Sequence, residues 1–139
     1  IGYDKLNQQR HAKFLKNMDG VRAHMKKHAA IIAPKFDVVL KAFNTELGGK
    51  GIAEWTNPNG GYFISLNVLN GCAKRTVELC KEAVVVLILA GATYPYGIDP
   101  DDSYFRIAPT FAPVEELELA VDLLCTSVQL AAAEKLLAE

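Results

Sequence analysis

Long apolar runs are missing from this chain, and so are a paired-cysteine motif and any complete phosphate-binding or nucleic-acid signature. A bilayer-spanning helix needs about 20 apolar residues. The run Val84–Ala90 has seven and stops at Gly91. The start, Ile1-Gly2-Tyr3-Asp4-Lys5, lacks the basic-then-apolar order of a secretory leader. These absences are read as a soluble, cytoplasmic protein with no membrane partner. The three cysteines, Cys72, Cys80 and Cys125, are odd in number and lie in apolar helical patterns without a CxxC pair. That predicts buried free thiols, with no disulfide framework and no metal site.

What is present fits one domain over residues 1–139, long enough for a real core. Charge is unevenly divided. Residues 1–50 hold 10 Lys and Arg against 4 Asp and Glu, while residues 51–139 hold 5 against 12. A basic half can mark a nucleic-acid binder. Here the basic residues are spread around helices without interleaved aromatics, so no nucleic-acid partner is expected. His24 and His28, four apart on a helix, could present two imidazoles on one face. With Lys26 and Lys27 between them and no third ligand in view, they are read as a solvated basic face. Gly48-Gly49-Lys50-Gly51 lacks the spacing and preceding strand of a phosphate loop and is read as a turn.

Periodicity predicts a helix over Tyr3–Asn17 with a thin apolar stripe. A second begins at an Asp19-Gly20 cap and carries Val21, Met25, Ala29, Ile32, Phe36, Val39, Leu40 and Phe43. Pro34 removes a backbone donor from it and predicts a kink or break near Ala30–Ala33. Leu47-Gly48-Gly49 should end it with a left-handed cap. Residues 51–56 and 61–66 read as a hairpin turned by Asn57-Pro58-Asn59-Gly60. Asn70 is expected to cap a helix whose inner face is Cys72, Thr76, Leu79, Cys80 and Ala83. Val84–Ala90 reads as a strand buried on both faces, entered through a Val84 that must take positive φ if the chain reverses there. A turn-rich loop leads to a strand over Tyr104–Ala108. Pro113 then opens a last helix with Val114, Leu117, Val121, Leu124 and Val128 inward and a tail over Ala131–Glu139. The order implies an α+β fold, a mixed or mainly antiparallel sheet of about four strands with helices packed chiefly on one face.

Within the strand Tyr104–Ala108, Arg106 is a permanent charge among apolar neighbours. It must snorkel out, pair with an acid or await an anionic ligand, and the residues alone favour the first two. Two segments combine, Pro58-Asn59-Gly60-Gly61-Tyr62-Phe63 and, some forty residues on, Arg106-Ile107-Ala108-Pro109-Thr110-Phe111. With the long first helices and the closing helix, they resemble the C-terminal small domain of fold-type I, pyridoxal-phosphate-dependent aminotransferases. The resemblance implies that Arg106 clamps a substrate α-carboxylate and that Gly60, Gly61, Tyr62 and Phe63 lie by the substrate entrance.

It also implies what this chain lacks. The family's catalytic lysine, and the aspartate that pairs with the pyridine nitrogen, belong to a large domain, so no cofactor is expected to bind this chain and pyridoxal phosphate belongs to the parent family. Tyr104 and Phe105 stand where relatives tend to have a smaller polar and an aliphatic residue, Val84 where a glycine is usual, and Ala112 where a proline or cap would be expected. These departures, in a chain that starts without methionine, are read as an excised and altered fragment. It is expected to fold alone, without catalysis of its own, and to self-associate weakly through Val84–Ile88 and Tyr104–Phe105. The alternatives are part of a genuine aminotransferase, whose partner is the large domain, and a small carboxylate-binding α+β module.

Overall fold

A computed structural model describes residues 2–138; Ile1 and Glu139, the ends of the leader and tail readings, lie outside the described residues. The chain divides into two compact units, residues 1–34 and 35–139.

In the first unit α1 spans Lys5–Leu15, shorter at both ends than its apolar pattern predicts. The Asp4 carboxylate accepts the Asn7 N–H at 3.1 Å and so caps it. None of its residues is buried. α2 spans Met18–Glu46 and begins before the expected Asp19-Gly20 cap. The Asn17 side-chain oxygen accepts the N–H groups of Asp19 at 3.1 Å and Gly20 at 3.0 Å, so Asn17 is the capping residue. The helix assignment continues through Pro34, so of the kink or break expected there the break does not occur. Met25 and Ala29, expected on the covered stripe, are exposed.

In the second unit the end of α2 buries Phe36, Val39 and Phe43. The N–H groups of Leu47 and Gly48 both return to the Phe43 carbonyl, at 2.9 and 3.0 Å, and Gly49 turns the chain at φ 72°, as expected of a left-handed cap. The sheet has three antiparallel strands in the order β1 (Ala53–Trp55), β2 (Ile64–Val68), β3 (Tyr104–Ile107). Trp55 pairs with Leu66, Ser65 with Arg106, and Leu66 with Phe105. Alternation then sorts the faces. Ile64, Leu66, Val68, Phe105 and Ile107 are buried with Phe43, Leu124 and Val128, while Glu54, Ser65, Asn67, Tyr104 and Arg106 share the other face. The architecture is α+β, as expected from the element order.

The fourth strand is a correction. Val84–Ala90 pairs with nothing among the described residues, and Val84 and Val86 are 87% and 89% exposed. Continuous apolarity reports a tendency to leave water, but a strand also needs a partner edge in register. Val84 takes positive φ, at 65°, although the chain does not pass there into the strand for which that φ was considered. Phe105 is 1% exposed, so it belongs to the core and takes no part in a self-association surface.

α3 spans Ala73–Glu82 and is not capped by Asn70. Asp102 performs that role from 28 residues away, its carboxylate accepting the Lys74 N–H at 3.1 Å and its carbonyl the Ala73 N–H at 2.8 Å. Ala83, expected inward, is exposed. α4 spans Val114–Ala138; the Pro113 carbonyl accepts the Leu117 N–H at 3.0 Å, which places Pro113 one residue before the first helical position. Leu117, Val121, Leu124 and Val128 are buried as expected, and Cys125, Ala131 and Ala132 widen that face. Arg75 of α3 grips Glu134 of α4 through two bonds of 2.7 and 2.9 Å. Cys72, Cys80 and Cys125 are buried and form no disulfide among the described residues. Burial pushes the Cys80 thiol up and the Cys125 thiol up to about 12, so both stay protonated and unreactive. No described helix is long and apolar enough to cross a membrane.

Candidate carboxylate-binding site

β3 is held at its start by a carboxylate. Asp99 is buried and accepts the backbone N–H groups of Ser103 and Tyr104, each at 2.9 Å, and of Asp101 at 3.1 Å. Burial pushes its pKa up, but the N–H groups of Ser103, Tyr104 and Asp101 outweigh that and hold it below the usual carboxylate range. This fixes the backbone two residues before Arg106. Asp99 was not singled out from sequence. The signal was there, since Asp99-Pro100-Asp101-Asp102 ahead of a strand has the makings of a side-chain-closed turn.

Tyr104 and Arg106 then project from the same face. The Tyr104 hydroxyl meets the Ser65 hydroxyl at 3.0 Å, and the Tyr94 ring lies edge-on to Tyr104 at 6.0 Å between centroids. Burial and the nearby Asp99 charge raise the Tyr94 phenol, which keeps it a neutral donor. Arg106 itself is half-buried. Its guanidinium carbon lies 4.5 Å from the centroid of Phe63, within the range of a cation–π contact. Phe63 precedes β2, in the loop whose Gly61 turns at φ 100°, a conformation that suits glycine.

The two sequence segments therefore converge through one pair, Phe63 and Arg106. Gly60, Gly61 and Tyr62 are exposed in the same loop and make no bond or ring contact to Arg106 among the described residues. Of the fates open to Arg106, pairing with an acid is not realised: among the described residues the ion pairs involve Arg22 and Arg75. Its Nε is buried and finds no hydrogen-bond acceptor among them. A buried donor left unpaired costs about 1–3 kcal/mol, and a carboxylate, with oxygens spaced for the guanidinium fork, matches the donors presented. No group of three or more His, Cys, Asp or Glu side chains suited to a metal occurs among the described residues.

Comparison with known proteins gives this geometry a context. The sequence matches the family described as aspartate amino-transferase along residues 1–139. It is 52% identical over 134 residues to an aspartate aminotransferase of Corynebacterium glutamicum, an alignment that covers 96% of this chain and 31% of that protein. The fold superposes on the crystal structure of an aspartate transaminase from the same organism with a TM-score of 0.92 at 51% identity, covering 97% of this chain and 32% of the other. An α-aminoadipate aminotransferase of Thermus thermophilus shares the fold at 20% identity, with a TM-score of 0.72 over 92% of this chain and 32% of that one. The chain thus spans about a third of the length of the relatives it matches. With a match along its whole length, the chain belongs to the aspartate amino-transferase family.

Proposed function

We propose that this chain is the small domain of a pyridoxal-phosphate-dependent amino-acid aminotransferase, that Arg106 is its clamp on the substrate α-carboxylate, and that Gly60, Gly61, Tyr62 and Phe63 border the substrate entrance. The observation that carries the reading is the state of Arg106, half-buried and braced by Phe63 with a buried Nε lacking an acceptor. A carboxylate would take that Nε and a terminal nitrogen together as a planar fork. Aspartate is the substrate that the relatives' names suggest.

The cofactor does not fit the residues present. The open face of the sheet carries Glu54, Ser65, Asn67, Tyr104 and Arg106, with no amine among them. Lys35 donates to the carbonyls of Thr110 and Phe111, and Lys135 to that of Asn70. The chain alone can hold a carboxylate but lacks the means to transaminate, and its partners in this reading are a large domain and, weakly, a second copy through Val84–Ile88. An engineered origin is not needed, because Phe105 fills the core and Tyr104 bonds Ser65. Val84 is the departure with a cost, a β-branched residue at positive φ.

Following the Arg106 Nε–H by nuclear magnetic resonance while adding succinate tests the clamp. The signal should move selectively, with an affinity weaker than about 1 mM, and the response should vanish in Arg106→Met. Equal movement of other arginines would overturn the clamp. A stoichiometric band with pyridoxal phosphate that survives desalting, with turnover lost in Arg106→Met, would overturn the non-catalytic reading.

A further inference from the structure

His24 and His28 lie one turn apart on α2, and their Nε2 atoms approach to 3.0 Å with the ring planes at 75°. A straight N–H···N bond would hold the ring centroids roughly 5 Å or more apart. They are 4.5 Å apart, so the rings do not both lie on the line joining the nitrogens. Phe14 lies edge-on to His24 at 5.4 Å between centroids, which restrains that ring. The third histidine, His11, is engaged differently, its Nδ1 lying 2.8 Å from the Asn7 carbonyl oxygen.

We propose that His24 and His28 form a two-point chelate for a first-row divalent transition-metal ion, with water in the remaining coordination positions. With metal–nitrogen bonds of about 2.1 Å, nitrogens 3.0 Å apart subtend about 90° at the ion, whereas a tetrahedral ion would spread them to about 3.4 Å. Adjacent positions of an octahedral or square-planar ion match the observed spacing, which selects Ni²⁺ or Cu²⁺ ahead of Zn²⁺, in the same sense as their general affinity order for nitrogen ligands. The adjoining Lys27 is a like charge that weakens binding, but it is exposed and screened over about 8 Å at physiological salt. The sequence reading of a solvated basic face rests on the two lysines and the missing third ligand; the proposal rests on the spacing of the two nitrogens.

The test is a titration of the unmodified chain with NiCl₂, followed by calorimetry and by the imidazole resonances. One ion should bind per chain, and the paramagnetic ion should broaden the ring resonances of His24 and His28. Removing even a supporting partner of a metal ligand costs roughly 10–100-fold in affinity. His24→Gln and His28→Gln should therefore each weaken binding about tenfold or more, and His11→Gln should leave it unchanged. No residue described in the first unit is buried, so these variants should keep the circular dichroism of the parent. If one does not, the resonances of the unmodified chain decide. Absence of broadening at His24 or His28, binding that survives His28→Gln, or no binding at millimolar nickel would overturn the chelate.

Discussion

Residues 2–34 and residues 35–138 draw on the same helical periodicity and reach opposite ends. The first region has no buried side chain; the second holds the whole core, from Phe36 to Ala132. One stripe, Val21, Met25, Ala29, Ile32, Phe36, Val39, Leu40 and Phe43, runs through both, and the buried members, Phe36, Val39 and Phe43, all lie in the second. A period of 3.6 marks a face able to be covered. Whether it is covered depends on what other elements supply, here for Phe43 the Trp55 ring of β1, 5.5 Å away between centroids.

The largest effect should come from a pair of substitutions on α2. Phe43→Ala, at a fully buried ring 5.5 Å from the Trp55 ring, should cost about 3–5 kcal/mol in a denaturant melt. Met25→Ala, 60% exposed, should stay within about 0.5 kcal/mol. Equal costs would break the contrast between the two regions. Next comes Asp99→Asn, which removes a charged acceptor of three N–H groups and should cost about 1–3 kcal/mol. The same carboxylate gives a pH signature. Its folded pKa lies below the unfolded value of about 4, so its contribution is complete above that value and is lost as pH falls through the lower folded one. Melts of parent and Asp99→Asn should therefore converge toward acid pH.

Val84→Gly sharpens the comparison from within the second region, at an exposed position. Relief of the left-handed strain should offset the added chain entropy and raise stability by a few tenths to about 1 kcal/mol, visible as a small rise in Tm. The smallest effect is expected of Arg106→Met, neutral or slightly stabilising, because it removes a buried donor without an acceptor. A marked loss of stability would show that the guanidinium holds the fold together and is not kept free for a ligand.

Much of the fold was legible where a local rule decides. Gly49 ended α2 and Pro113 marked the start of α4, whereas the burial of Phe105 went against the surface expected for it. What was not legible involved partners distant in sequence. Asp102 displaced Asn70 as the α3 cap from across a loop, and seven apolar residues gave no sign that they would lack a neighbouring strand. The site divides the same way. Arg106 stood out as a charge in an apolar strand, and the Gly60–Phe63 segment through its resemblance. The meeting of Phe63 with Arg106 and of Ser65 with Tyr104 depends on strand register, which neither segment carries alone.

The apolar run Val84–Ala90 is also where the chain could be cut open. Val84 and Val85 donate their N–H groups back to Lys81 and Cys80, and the next backbone donor recorded among the described residues is Ala92. Between them Val86 is exposed and belongs to no helix or strand. New termini, or a flexible insert, placed between Val86 and Leu87 should leave the sheet register and the Asp99 turn intact, since such exposed, unpaired backbone is where circular permutation succeeds. A permuted chain opened there should give the parent's amide spectrum for β2, β3 and α4, whereas one opened inside β2 should not fold.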